Sequence, residues 1–412
     1  MTSIDIMENK KNNKDIERIE YLVQYLNKQN HQYYVLCSPT ISDYEFDMLL
    51  KELETLESKT GHILPESPTQ RVGSDLQKGF NEVDRKRIMG SIANCYDKDE
   101  LVKWMTSLSN VDKFLLEPKY DGLSCSLIYR HGLLVQASTR GTGFKGTDIT
   151  LNAKTIKSIP LRLFINQSAN KNYKNIYIPD EIEIRGEILL PKSELSKINK
   201  DRVEKNLPAF ANERNAAAGS IKQLDPSITA SRNLIFRPYA VYCDDVDFSE
   251  KYIIEQHNML DIAYIFGFSK PFYIICQNTD DVLKGLDEFE SNFLHNQDYC
   301  MDGCVIKIDS YEKQLELGYT QKVPKWAKAF KFKQEQVSTK LKDVEWQVGR
   351  TGKLTPVAIL DPIDIDGTVV SKASLNNIDY INDLDLHIND YVFVERGGGV
   401  IPKVVGVDYS KQ

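Results

Sequence analysis

From Leu123 to Tyr129 the apolar side chains Leu123, Cys125, Leu127 and Tyr129 alternate with Ser124, Ser126 and Ile128. A period of two over this length calls for a strand with one face on a core. Comparable short runs recur at 112–117, 133–138, 181–189, 234–242 and 303–308, and helical patterns near 192–205 and 250–266 fall between them. The middle of the chain is therefore expected to combine sheets and helices. Asp121-Gly122, just before Leu123, is a turn signal, so Phe114 to Arg130 reads as a hairpin with Lys119 near its tip.

The flanks follow other periods. Ile16, Ile19, Leu22, Val23 and Leu26 recur at helix spacing. Ser42-Asp43-Tyr44-Glu45 has the form of a capping box opening a second helix, with Phe46, Leu49, Leu50, Leu53 and Leu56 on its apolar face. Residues 60–74, rich in Gly, Pro and Ser, read as a linker. From 334 onward, short strand patterns broken by glycine turns suggest a small β-barrel of the OB-fold kind.

A chain of 412 residues allows two or three domains. No apolar run approaches a membrane span, and the polar start, "MTSIDIMENKKNNKD", lacks a signal-peptide core. The seven cysteines are scattered without a C-x-x-C, which points away from a zinc site or disulfide framework and suits a reducing cytoplasm. A formal net charge of −7 gives no overall attraction to nucleic acid, so any such surface must be a local patch.

Six segments hold the residues that could carry chemistry: "EPKYDG" with Lys119 and Asp121, "TRG" with Arg140, "IRGE" with Glu187, "FRPY" with Tyr239, "DGCVIK" with Asp302 and Lys307, and "AFKFK" with Lys331. Each alone also has an ordinary reading: an edge lysine, a basic turn, a strand-end ion pair, an alternating strand. A partly desolvated lysine amine near other cations would have a lowered pKa and become a nucleophile.

In this order the segments resemble the collinear motifs of covalent nucleotidyltransferases. With "SPTQRVG", "NERNAAAGSIKQLDP" and "VGRTGKLTPVA", the chain from about residue 15 to its end resembles bacterial-type NAD-dependent DNA ligases. The resemblance implies an α+β multidomain fold. Its parts would be a polar tail over 1–14, a helical cap over 15–75 for the nicotinamide mononucleotide (NMN) half of NAD+, an adenylation (nucleotidyltransferase) domain of mixed antiparallel sheets and helices over 76–333, and an OB-fold barrel over 334–412. It implies Lys119 as the nucleophile that takes the adenylyl group from NAD+. Lys307 and Lys331 would stand at the phosphate and depress the Lys119 pKa, and Asp121 and Asp302 would orient the lysine or metal-bound water. Glu117 and Tyr239 would form the adenine pocket, with Ser91, Ile92, Arg140 and Glu187 also on the nucleotide, Glu187 toward the ribose. Tyr33, Asp43 and Asp47, with the neighbouring Tyr44, Glu45 and Phe46, would bind the NMN half.

The implied substrate is nicked duplex DNA, touched by Arg214, Lys222, Arg350, Lys353, Arg396 and Lys403. The implied cofactors are NAD+ and Mg²⁺ or Mn²⁺. A cytoplasmic monomer is expected. The four-cysteine zinc module, helix-hairpin-helix region and BRCT domain of the family have no counterpart after the barrel, so no zinc is expected in this chain. Tyr34 stands where many members have His, Phe46 where many have Tyr, and Cys300 where an acid is common. Two other readings compete: an ATP-dependent ligase or capping-type nucleotidyltransferase, against which Tyr33, Asp43 and Asp47 argue, and a non-catalytic nucleic-acid-binding module, against which the intact Lys119, Glu187, Lys307 and Lys331 argue.

Overall fold

The computed structural model describes residues 3–36, 38–71, 79–111, 113–167, 169, 173–321, 323–332, 336–348, 354–365, 368–397 and 401–411, with backbone alone at 3–12, 368, 396–397 and 401. The chain forms two compact units, Met1–Phe330 and Lys331–Gln412.

The first unit begins with two helices, α1 (Ser3–Tyr34) and α2 (Asp43–Thr60). The polar start of the chain is thus helical from Ser3. The Ser42–Glu45 capping box forms as expected, and Gly61 closes α2 at φ 69°, donating its N–H to the Glu57 carbonyl. Ile19, Leu22, Val23 and Leu26 bury against Leu53, with Phe46, Leu49, Leu50 and Leu56 packed around them. Arg18 bridges the two helices by bonding both Glu52 oxygens at 2.8 and 2.9 Å.

Part of the stretch that reads as a linker is a docked element. Pro68–Gln70 is a 3-10 turn capped by Ser67. The next residue, Arg71, is buried and donates through Nη1 to the carbonyls of Lys154, Ile156 and Ile159 at 3.1, 3.2 and 3.2 Å. Arg162 to Glu66 (2.7 Å) and Lys157 to the Tyr34 hydroxyl (2.7 Å) fasten the helical segment to the same stretch of chain.

Two larger sheets and a small ribbon follow. The five-stranded sheet has the order β2 (Ala93–Cys95), β11 (Ala327–Phe330), β10 (Met301–Ile308), β3 (Phe114–Tyr120), β9 (Ile274–Cys276). The four-stranded sheet has the order β5 (Leu133–Thr139), β4 (Leu123–Arg130), β7 (Glu181–Leu189), β8 (Ile235–Cys243), and β1 (Glu82–Asp84) pairs with β6 (Lys145–Thr147). The β4 alternation holds: Cys125, Leu127 and Tyr129 lie in the main core with Ile182, Ile184, Ile188, Phe236 and Phe268. The helical pattern near 250–266 resolves into two helices, Val246–Tyr252 and Gln256–Ile265, because Glu255 is extended and caps the second.

The hairpin expected at Asp121-Gly122 does not form. β3 and β4 belong to different sheets, and these two residues carry the chain from one to the other. Gly122 lies against β7 so closely that a Cβ would sit 2.2 Å from the Ile188 carbonyl oxygen and 2.6 Å from a Leu189 methyl. Asp121 donates its N–H to the Cys300 carbonyl (3.0 Å). Packing of the glycine, rather than local turn preference, decides this corner.

The second unit is a closed barrel of order β12 (Val337–Val348), β13 (Leu354–Ile365), β14 (Thr368–Ser374), β16 (Ile401–Val407), β15 (Tyr391–Gly397), with a short helix, Ile378–Asp383, between β14 and β15. Leu341, Ala358, Leu360, Val392, Val394 and Val404 fill it. This is the OB-like barrel that the glycine-broken strand pattern suggests. Among the described residues no helix is long and apolar enough to cross a membrane.

Candidate active site

β3 puts Glu117 and Lys119 on one face of the five-stranded sheet, and β10, paired antiparallel to it, sets Val305 opposite Glu117. The register slips by one residue between Met301 and Cys304, and Gly303 takes φ 149° within the slip. A bulge of this kind re-aims a side chain. Here Asp302 accepts from Lys119 through both carboxylate oxygens, with Nζ 2.6 Å from Oδ1 and 2.8 Å from Oδ2. The Lys119 side chain keeps 22% of its surface exposed.

Asp121, just after β3, accepts from Arg214 Nη1 at 2.7 Å. Burial raises the Asp121 pKa above the usual carboxylate value, and Arg214 opposes the rise. Arg214 comes from the helix Glu213–Ile221, whose N-cap is Asn212. The residue named as a DNA contact thus has its guanidinium on the Asp121 carboxylate.

Glu187 lies on β7 opposite Ser124 of β4 and accepts from the Ser124 hydroxyl at 2.7 Å. Burial pushes the Glu187 carboxyl up to about 7; Ser124, Arg214 and Lys119 each pull it part of the way back. Its neighbour Gly186 has no room for a side chain, since a Cβ would meet the Phe236 ring at 2.3 Å and the Arg237 carbonyl at 2.4 Å.

Glu117 and Lys307 form a buried pair, with Nζ 2.8 Å from Oε2. Lys307 also donates to the Tyr239 carbonyl at 3.1 Å and lies 5.8 Å from the Tyr239 ring centroid. Burial raises the Glu117 pKa, and Lys307 counters it. The Lys307 charge, expected to face a phosphate, is thus balanced by a carboxylate of the protein. Lys119 bonds the Asp302 carboxylate, and Lys307 bonds the Glu117 carboxylate and the Tyr239 carbonyl. Lys331 follows β11 and opens the second compact unit.

Arg140 is exposed at the end of β5, and its N–H donates to the Ser124 carbonyl at 3.0 Å. Ser91 is exposed and Ile92 half-buried immediately before β2. On the helical segment, Tyr33, Asp43, Tyr44 and Asp47 are exposed. Glu45 closes the capping box, accepting from the Ser42 N–H at 2.9 Å, and Phe46 packs on the α1–α2 core. These two residues therefore also serve the helix itself.

Of the expected DNA contacts, Lys222 is exposed at the end of its helix, and Lys403 on β16 sets its Nζ 4.8 Å from the Tyr380 ring centroid. Arg350 and Lys353 lie outside the described residues. Arg396 is in β15, and its side chain is likewise outside them.

A second acidic group, Glu255, His257 and Asp309, has ligand atoms close enough for a metal. Lys113 already bonds Glu255 at 2.5 Å and approaches Asp309 at 3.1 Å, so a lysine supplies the cation there.

Sequence reasoning overlooked Ser124. The strand-end ion pair offered as the ordinary reading of "IRGE" does not form within it, because Arg185 bonds Glu183 at 2.7 Å. The available signal was the alternation EIEIRGE, which puts Glu181, Glu183, Arg185 and Glu187 on one strand face.

Residues 12–73 match the DNA ligase-like N-terminal NAD+-binding domain, 77–335 the NAD-dependent DNA ligase adenylation domain, and 338–412 the NAD-dependent DNA ligase OB-fold domain. The chain is 44% identical over 402 residues to a DNA ligase of Thermodesulfovibrio yellowstonii and 45% identical over 399 residues to one of Porphyromonas gingivalis, each alignment covering 95% of this chain. It spans 58% and 57% of the length of those two relatives. Three consecutive domain matches and two close relatives agree with the order of elements around Lys119, and the chain belongs to the NAD-dependent DNA ligase family.

Proposed function

We propose that this chain carries out NAD-dependent DNA ligation through a covalent lysyl-AMP intermediate. In this reading residues 15–75 are the NAD+-binding cap, 76–333 the adenylation domain and 334–412 the OB-fold domain. The observation that carries it is Lys119, a partly exposed amine at a strand end, aimed by both oxygens of Asp302.

A lysine amine attacks only after losing a proton, and Asp302, already hydrogen-bonded to it, is placed to accept that proton. The Lys119 Nζ–phosphorus bond forms as the phosphorus–oxygen bond to NMN breaks. NMN leaves, and the adenylyl group stays on the protein. It then passes to a 5′-phosphate at a nick, and the 3′-hydroxyl displaces AMP as the strand closes.

Glu187 accepts from a ribose hydroxyl, while Glu117 and Tyr239 flank the base, with Ser91, Ile92 and Arg140 around it. Lys307 and Lys331 stand on the phosphate side. Asp121, Asp302 and Glu187 offer hard carboxylate oxygens of the kind Mg²⁺ or Mn²⁺ takes, and such an ion would offset charge developing on the phosphate. Tyr33, Asp43, Tyr44 and Asp47 recognise the NMN half, with Glu45 and Phe46 beside them also holding the helix. Arg214, Lys222 and Lys403 are cations for DNA phosphates.

The test is intact mass after incubation with NAD+ and Mg²⁺, compared with ATP and Mg²⁺. The expected result is an adenylyl adduct with NAD+ alone, mapped to the Lys119 peptide and absent from Lys119→Ala. An adduct formed from ATP would favour the ATP-dependent reading. Salt-sensitive DNA binding with no adduct would favour the non-catalytic one.

A further inference from the structure

Arg185 is among the most enclosed charges of the first unit, with 5% of its side chain exposed beside Glu183 at 8%. One edge of its guanidinium lies along the Glu183 carboxylate, with Nε 2.7 Å from Oε1 and Nη2 3.2 Å from Oε2. Its remaining donors reach two consecutive carbonyls of another segment, Nη2 to Arg87 at 2.7 Å and Nη1 to Ile88 at 2.8 Å. Ser126 holds Glu183 from the other side at 2.6 Å, and the Tyr242 ring lies 4.8 Å from the guanidinium carbon. The arginine is fixed on every side, and only its planar fork can satisfy a carboxylate and two carbonyls at once.

The segment it holds is also fastened to the turn that carries Arg140. Arg85 donates its N–H to the Phe144 carbonyl at 3.0 Å, Met89 to Gly143 at 3.1 Å, and the Arg85 guanidinium reaches the Thr139 carbonyl. Residues 85–89 and the turn 140–144 are therefore bonded to each other, and Ser91 and Ile92 follow within three residues. Arg185 is the buried tie between this strap and the charged face of β7 on which Glu187 lies, two residues away; at the exposed end of that face Lys86 pairs with Glu181.

We propose that Arg185 is a positioning residue for nucleotide binding, which sets Ser91, Ile92 and Arg140 relative to Glu187 by holding the carbonyls of Arg87 and Ile88, without touching the nucleotide itself. The proposal rests on the functional reading above, in which those four residues face the nucleotide. It assigns Arg185 an effect on NAD+ affinity rather than on the bond-making step.

The test is single-turnover self-adenylylation of the full chain against NAD+ concentration, for wild type, Arg185→Lys and the double variant Arg185→Met with Glu183→Gln. Lysine keeps a charge for Glu183 but cannot span both carbonyls. The double variant removes the carboxylate that would otherwise be buried without a partner, so it guards against simple misfolding. A charge-assisted bond to a carbonyl is worth enough that the half-saturating NAD+ concentration should rise about tenfold in both, with the plateau rate within about threefold of wild type. Hydrogen exchange of the 85–92 peptide should quicken in both variants relative to the rest of the first unit.

Unchanged half-saturation in both variants overturns the positioning role and leaves the functional reading standing. A fall in plateau rate at unchanged half-saturation also overturns it, since Arg185 would then act on the chemistry. Absence of any adduct in wild type overturns the functional reading and this inference with it.

Discussion

Lys119 and Asp302, 183 residues apart in sequence, meet as a two-point ion pair across β3 and β10, with Nζ 2.6 and 2.8 Å from the carboxylate oxygens. The pair depends on the one-residue slip at Asp302-Gly303, without which Asp302 would follow the regular alternation of β10. Asp302→Asn keeps the shape but removes the proton acceptor. Adduct formation from NAD+ should slow by about a hundredfold or more, read by single-turnover mass spectrometry. An unchanged rate would show that another group takes the proton.

Glu187 supplies a pH test. Burial lifts its pKa from the ordinary 4.5 to about 7, so the folded state holds the proton more tightly than the unfolded chain does. Its contribution to stability is full below the ordinary value and is lost as pH rises through about 7. Glu187→Gln should therefore gain stability relative to wild type between about pH 5 and about pH 8, by at most roughly 3 kcal/mol in urea unfolding. In the functional reading the ionised form accepts the ribose hydroxyl, so NAD+ affinity should improve as pH rises through about 7 and the Gln variant should lack that trend. Parallel pH profiles for the two proteins would remove Glu187 as the titrating group.

Arg71 makes the other test of stability. Its Nη1 serves three carbonyls between residues 154 and 159, and burial lowers its pKa to about 10, which leaves it charged near neutral pH. Arg71→Met strands those acceptors, and a loss of about 2–4 kcal/mol is expected in denaturant unfolding. A loss below half a kcal/mol would mean that water replaces the guanidinium at little cost.

Tyr33 and Asp43 separate the steps. Both are exposed on the helical segment, so Tyr33→Ala and Asp43→Ala should leave the melting temperature within a degree or two. Each should impair self-adenylylation by NAD+ and spare sealing of a nick already carrying a 5′-adenylate, because only the first step involves NMN. Equal losses in both assays would argue against a role confined to the NMN half.

Local rules read the elements well wherever neighbours a few residues apart decide them. The Ser42–Glu45 box forms because the cap and its acid are three residues apart. β7 runs from Glu181 to Leu189, as its alternation requires, because that alternation supplies both a core face and a charged face. Lys119, Asp302, Glu187 and Lys307 could be picked out as residue types in an ordered series, and the structure brings Lys119 together with Asp302 and places Glu187 near enough to feel its charge.

The partners were another matter. Whether Asp121-Gly122 would fold β3 back on β4 or hand the chain to a second sheet depended on the Ile188 carbonyl, some sixty residues away, closing on Gly122. Arg185 had an acid two residues to either side on the same face, and the carbonyls of Arg87 and Ile88 drew it to Glu183, leaving Glu187 with Ser124. The sequence by itself determined the elements, the barrel and the chemical types at the site, because capping and alternation act over a few residues. Only the tertiary structure decided which buried charge met which, because burial makes each unpaired charge costly and the available partners come from distant strands.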